Sequence, residues 1–275
     1  MLVLLFVFVP LVMVVVQSLQ HVETGSVAGP YAGFDNFAWV LTDGYFYRAL
    51  AKSAVWVFGG LILEFLFGLP VALLLHQSFR MRSLARALVL FPYLLPSVVA
   101  VITFRFMFQD LLGIVNRVLM ALHLIAEPVT WLGDPTRAML MAVLVSGWKF
   151  FPFVVIALLG ALQSIPDDLY EAAAVDGAGR LRRFTSVTLP HLMPVLLLVG
   201  LLRTIWNFDK FDVVFMLTGG GPGDATTTVP VAIYRTAFQD LDTGRAAAMG
   251  ITLFAMLMVL AGVYLWLMRR AEEKM

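Results

Sequence analysis

Cysteine is absent from the 275 residues, and charged residues are scarce at 13%. The first absence removes disulfides, thiolate metal sites and cysteine nucleophiles together. The second removes a water-soluble globule, in which about a quarter of the residues would be charged and about 45–50% apolar. Here 61% are hydrophobic, and the mean hydropathy is +0.90. A chain this apolar could not cover its own surface in water, which excludes a soluble enzyme. Basic charge is not in excess either: the formal net charge is +1, so no basic surface invites nucleic acid. The four histidines (His21, His76, His123 and His191) show no ligand spacing. Composition leaves an integral membrane protein.

A membrane-crossing helix takes about 20 mostly apolar residues, so the length leaves room for roughly five to seven spans. Six apolar runs stand out, at approximately 1–19, 53–75, 87–108, 139–162, 194–217 and 246–268. The last holds no Asp, Glu, Lys or Arg and is long enough to cross with some tilt. The first lacks a basic n-region and a cleavage site and is interrupted by Pro10, so it reads as a span rather than a signal peptide. A short cytoplasmic segment upstream of it stays open.

Orientation follows from Lys and Arg in short loops. Arg80, Arg82 and Arg86 follow the second run, Arg180, Arg182 and Arg183 the fourth, and Arg269, Arg270 and Lys274 the sixth. The opposite loops hold Arg48, Arg117, Arg137, Arg235 and Arg245 over longer stretches. This places both termini in the cytoplasm and agrees with an even number of spans. The external segments 20–48 and 218–245, the latter opening with Thr218-Gly-Gly-Gly-Pro222, are too short to bury cores of their own.

The informative stretch is 164–190. Pro166 ends the fourth run, and Asp168 with Glu171 has the spacing of a capping box ahead of Ala172, Ala173 and Ala174. Gly177 allows a turn that a β-carbon would resist. A second, basic helical piece runs from Arg180 to Val187, and Leu189-Pro190 with Pro194 restarts the chain into the membrane. The expectation is a short helix-turn-helix on the cytoplasmic face.

Glu171-Ala172-Ala173, three residues, Gly177, nine residues, Val187, one residue and Leu189-Pro190 resembles the EAA loop of bacterial ABC importer permeases, which usually carry Ile at the Val187 position. Thr218-Gly-Gly-Gly-Pro222, Ile233-Tyr234 and Ala237-Phe238, with Phe91-Pro92, Pro96 and Phe104-Arg105, resemble the carbohydrate branch of that family, that of the maltose and glycerol-3-phosphate permeases. The resemblance covers essentially the whole chain. It implies an all-α membrane protein of six transmembrane helices with the type I importer fold. Residues 1–275 would form a single permease domain with 164–190 as its coupling loop.

The resemblance also implies a division of labour. No GxxxxGK[ST] run is present to cradle phosphates, so ATP and Mg belong to a separate ATPase and no cofactor is bound by this chain. Glu171, Ala172, Ala173, Asp176, Gly177, Arg180 and Arg183 would form the ATPase-coupling surface: Glu171 a polar anchor, the two alanines allowing close approach, the arginines offering charge partners. Simple positive-inside anchoring is the other account of the arginines. Expected partners are a second homologous permease, a pair of ATP-binding subunits, an extracytoplasmic solute-binding protein and membrane lipid, with no nucleic acid. The expected location is the bacterial cytoplasmic membrane.

Charges at membrane depth are costly, so each is a functional candidate. Lys52 and Arg269 sit near span ends and are expected to snorkel. Glu64 lies mid-span, with pairing, subunit packing and transport all open to it. Arg105 reads as structural. Gly147 and Pro152 mark a kink in the fourth span. Arg203, Trp206, Asn207 and Lys210 are spaced i, i+3, i+4, i+7 and share one helix face. By alignment on the two motifs, the resemblance places Ser146, Lys149, Phe150, Phe153, Arg203, Trp206, Asn207 and Lys210 at sugar contacts. An internal ion pair, Asp209 with Lys210 or with Arg203, is the competing account of the charges. Three cations against Asp209 alone would repel one another at low dielectric, which points to an acidic sugar derivative or a sugar- or glycerol-phosphate as solute. The rival in a different class is a carrier driven by an ion gradient, with Glu64, Asp209 and Lys210 as coupling groups.

Overall fold

The computed structural model describes residues 2–272, and every regular element among them is helical. In chain order these are α1 (Leu2–Ser18), α2 (Asp35–Thr42), α3 (Gly44–His76), α4 (Arg82–Leu94), α5 (Ser97–Met107) and α6 (Ile114–Ala121). Then follow α7 (Pro135–Gln163), α8 (Asp167–Val175) and α9 (Arg180–Arg183), which passes through a π-helical turn (Phe184–Thr188) into α10 (Leu189–Asp209). The last three are α11 (Asp212–Thr218), α12 (Val229–Phe238) and α13 (Thr243–Glu272).

Four helices are long and apolar enough to cross a bilayer: α3, α7, the continuous stretch Arg180–Asp209, and α13 over Thr243–Met268. They take up the second, fourth, fifth and sixth apolar runs. The first run is the shorter apolar helix α1. The third differs from expectation, because it is not one straight helix. α4 and α5 meet at 90°, and the cause is Pro96, which lacks an N–H and pushes its predecessor out of the helical region. Leu95 is accordingly extended, at φ −64°, ψ 135°. Its carbonyl accepts a hydrogen bond from Lys149 Nζ of α7 at 2.6 Å.

The fifth run also differs at both ends. It does not restart at Pro190, since α9, the π turn and α10 form one helix. Widening the turn accommodates a proline ring that would otherwise strike the preceding turn. Thr185 Oγ1 donates back to the Leu181 and Arg182 carbonyls there, and His191 Nδ1 donates to Val187 O at 2.7 Å. The helix stops at Asp209 because Lys210 is extended (ψ 105°), and 212–218 is a separate helix. The capping box of Asp168 and Glu171 does not form either: Pro166 occupies the N-cap without a side-chain hydrogen bond, and Asp167 and Asp168 lie in the first turn, where carboxylates suit the helix dipole.

The innermost helix is α7, with 61% of its spanning window buried, whereas α13 buries only 6% of its own. Helix α7 packs on α3 along a seam of small residues. A β-carbon on Gly147 would stand 2.7 Å from Leu63 Cβ, and one on Gly68 would stand 2.7 Å from Val154 Cγ1. Gly147 therefore allows close helix approach, and α7 continues through both Gly147 and Pro152. Two apolar clusters result. One gathers Val40, Phe46, Trp56, Val145, Val213 and Met249; the other gathers Ala72, Leu75, Val154, Leu158, Leu192 and Val199.

Tight loops close the end of the bundle opposite 164–190. Asn36 Nδ2 donates to Ser18 O and Gln20 O at 2.9 Å each, and Thr243 N donates to Val22 O at 2.9 Å. Gly220 of the Gly-Gly-Gly-Pro turn has φ +88°, and a β-carbon there would strike Thr227 Oγ1 at 2.8 Å. Arg235 ties this turn down through Gly219 O, Thr227 Oγ1 and the carboxylate of Asp224. Lys52, near the start of α3, donates from Nζ to Asp224 O. The hydrogen bond from Arg235 holds the Asp224 carboxyl below its ordinary value, so this tie is complete at neutral pH and is lost only as pH falls through that lowered value.

Gly147→Val and Gly68→Leu are expected to destabilise the purified protein by about 1–3 kcal/mol through overpacking, read as an earlier unfolding midpoint in an SDS titration. Gly160→Ala, whose added methyl meets nothing within 4 Å, should not lower the midpoint, since alanine favours the helix over glycine.

Candidate functional site

Between the two apolar clusters lies a buried polar layer drawn from three helices. Glu64 on α3 is fully buried and faces Arg203 on α10, which is 1% exposed. Arg203 Nε and Nη2 donate to the two Glu64 carboxylate oxygens at 2.6 Å each. The same Nη2 donates to Asn207 Oδ1 at 2.7 Å, and Asn207 Nδ2 returns a 3.2 Å bond to Glu64. Trp56 Nε1 donates to the Asn207 carbonyl at 3.0 Å. This geometry meets the condition under which a charge survives at membrane depth, which is pairing with additional hydrogen bonds to the pair. Ser146 Oγ, on α7, is buried beside the layer with no hydrogen-bond partner among the described residues.

Phe150 of α7 is the ring on which the layer ends. Arg203 Cζ lies 4.5 Å from its centroid, Lys210 Nζ 5.3 Å and Lys149 Nζ 5.4 Å, all within cation–π reach. Beyond it stands an aromatic face. Tyr93 of α4 contacts Phe150 and Phe153 at 6.4 and 6.1 Å between ring centroids, and Phe153 contacts Trp206 at 5.1 Å. Tyr93 is 37% exposed and Trp206 39%; Phe153 and Lys210 are partly exposed.

All eight residues expected at sugar contacts fall in one region, but they differ in exposure. Ser146, Lys149, Phe150, Arg203 and Asn207 are buried, and only Phe153, Trp206 and Lys210 present surface. Lys210 is not on the helical face with the other three, because α10 ends one residue before it. An internal ion pair does exist, yet its acid is Glu64 rather than Asp209. Of the three cations that argued for an anionic solute, Arg203 is paired inside the protein by Glu64, while Lys149 and Lys210 have no ion-pair partner among the described residues. Sequence reasoning missed Tyr93, Leu95 and the Glu64–Arg203 match; of these, only the lone mid-span acid gave a signal.

At the opposite functional region, α8 buries none of its residues. Glu171, Ala172, Asp176, Gly177 and Arg180 are exposed, and Ala173 and Arg183 partly so. Gly177 takes φ +76°. Ala178 N donates to Ala173 O at 2.9 Å and Gly177 N to Ala174 O at 3.0 Å, the paired bonds of a Schellman C-cap. A bond of 3.0 Å between Tyr170 Oη and Thr188 Oγ1 ties α8 to the π turn. Val175 (88%) and Leu181 (77%) stand exposed on either side of the turn.

Residues 64–273 match the family described as a binding-protein-dependent transport system inner membrane component. The chain is 36% identical to the trehalose/maltose transport system permease protein of Thermococcus litoralis over 264 residues, which is 96% of this chain and 88% of that protein. It is 35% identical over 253 residues to the sulfoquinovosyl glycerol transport system permease protein of Agrobacterium fabrum, covering 90% and 80% of the two chains. Among solved structures, a chain of a bacterial ABC transporter for import of the acidic polysaccharide alginate superposes with a TM-score of 0.82 at 26% identity, over 97% of this chain and 91% of that one.

Since the chain has no native cysteine, single cysteines report exposure cleanly. Trp206→Cys in the membrane-embedded protein should react with a small charged thiosulfonate at least about tenfold faster than Phe150→Cys, following their difference in burial. Equal rates would mean that Phe150 is on the surface with the other rings.

Proposed function

The chain belongs to the family of binding-protein-dependent transport system inner membrane components, and on that premise we propose that it lines one half of the path by which an ATP-driven importer takes up a carbohydrate or related polar solute. It is a transport subunit, and ATP is hydrolysed on a separate subunit. Family membership removes the ion-gradient carrier, and Glu64, one of its supposed coupling groups, is held in a buried ion pair with Arg203.

The observation that carries the solute class is the aromatic face of Tyr93, Phe153 and Trp206. Sugars offer apolar C–H faces to aromatic rings, and their hydroxyls need neutral or charge-assisted partners at the rim, which Lys210 can supply. The relatives that transport trehalose and maltose or sulfoquinovosyl glycerol, and the alginate importer, are consistent with this class. Reconstitution with a second permease, the ATPase subunits and the external binding protein should give ATP hydrolysis stimulated by at least one of maltose, trehalose, sulfoquinovosyl glycerol and an alginate oligosaccharide. Stimulation by none of these would overturn the solute class.

The exposed α8, fixed by its C-cap to α9 and so to α10, is the surface proposed to enter the ATPase. Glu171 and the two alanines would make the contact, Asp176 and Gly177 the turn, and Arg180 and Arg183 its charged flank. Glu171→Lys and Gly177→Asp are expected to abolish solute-stimulated hydrolysis while membrane insertion persists. Normal stimulation in both variants would end the assignment.

The proposed orientation puts both termini and the loops 76–86 and 164–190 in the cytoplasm. Ser78 and Thr185 are exposed, so cysteines placed there should resist an impermeant thiol reagent in intact spheroplasts and react once the cells are opened. Rapid labelling of both in intact spheroplasts would reverse the orientation.

A further inference from the structure

The buried layer under the aromatic face is more specific than helix adhesion requires. From α3, Trp56, Gly60 and Glu64 are spaced i, i+4, i+8, a single stripe along the helix, and Arg203 and Asn207 of α10 are spaced i, i+4 opposite it. Gly60 lies within the layer: a β-carbon there would be in ordinary contact with Asn207 Nδ2 at 3.6 Å, Ser146 Oγ at 3.7 Å and Glu64 Oε1 at 3.9 Å. Glu64 grips the guanidinium by both of its oxygens. A bidentate pair fixes the plane of the arginine fork as well as its position. That fixed group rests on Phe150 at 4.5 Å and lies 5.9 Å from Trp206. Phe150 in turn touches Tyr93, and Trp206 touches Phe153. A chain of contact therefore runs from a carboxylate with no exposed surface to every ring of the exposed face.

We propose that Glu64 is the positioning residue of the solute face: by setting the plane of Arg203 against Phe150, it sets the disposition of Trp206 and Phe153. The inference rests on the reading of Tyr93, Phe153 and Trp206 as that face. A pair that only held α3 to α10 would work equally well with its charges exchanged. A positioning pair would not, because exchange moves the guanidinium from α10 to α3 and away from Phe150.

The test uses the whole transporter in nanodiscs, with the chain labelled with 5-fluorotryptophan and the Trp206 fluorine resonance assigned by its loss in Trp206→Phe. Arg203→Lys keeps the charge beside Glu64 but loses the planar fork. The exchange Glu64→Arg with Arg203→Glu keeps the pair but relocates the fork. Both are expected to move the Trp206 resonance by more than its linewidth, while that of Trp266 on α13 stays fixed. Both should also raise the KM for the sugar that most stimulates the wild-type complex about tenfold, with kcat changing less than twofold. The idea is overturned if Arg203→Lys leaves the Trp206 resonance in place, or if the exchange restores both resonance and KM to wild-type values. If no sugar in the panel stimulates the wild-type complex, the solute reading fails while the fluorine resonance still decides the positioning role.

Discussion

A carboxylate and a guanidinium that meet in the middle of a membrane leave little freedom to anything around them. Either group alone at that depth is expensive, and removing one partner from a buried pair costs about 3–5 kcal/mol. Glu64 and Arg203 must therefore stay together, which fixes the rotation of α3 and α10 about their own axes. Once those rotations are set, the stripe of Trp56, Gly60 and Glu64 can only face α10, and the glycine seam of α3 can only face α7. The two apolar clusters then lie on either side of the polar layer rather than merging into one core.

The break between α4 and α5 shows the same economy on a smaller scale. A proline frees a carbonyl inside a region where free carbonyls are not tolerated, and a lysine from another helix takes it up. Lys149 is thereby held beside Phe150, and the 90° turn places Tyr93, two residues before Leu95, against Phe150 and Phe153. A local backbone constraint thus becomes a feature of the aromatic face.

Much of this could be read from the chain itself. Four of the six apolar runs fell on spanning helices and another on the bent pair of α4 and α5, because burial in lipid demands length and composition, which are local properties. The loop motif and Gly177 were legible because a turn with positive φ narrows the choice of residue. What could not be read was whatever depends on distant partners. Glu64 was visible as an anomaly, but its match to Arg203 lies 139 positions away, and spacing offers no means of choosing it over Asp209. Exposure was equally hidden: Trp206 and Asn207 are neighbours in sequence, yet one is 39% exposed and the other 1%. The capping box failed for a different reason, since Pro166 already held the position that Asp168 would have needed.

The unbroken helix from Arg180 to Asp209 has a mechanical meaning. Thirty residues at about 1.5 Å each make a rod of roughly 45 Å, with the exposed turn of α8 and α9 at one end and Trp206 near the other. A rod transmits twist as well as thrust. If the near end turned by about 20°, a side chain about 6 Å from the axis would sweep roughly 2 Å, comparable to the gap between a stacked ring and a displaced one. Because Arg203 is gripped by α3, such a twist could not pass it freely. The ion pair would act as a bearing, resisting small rotations of the axle and yielding only to a torque large enough to carry α3 with it.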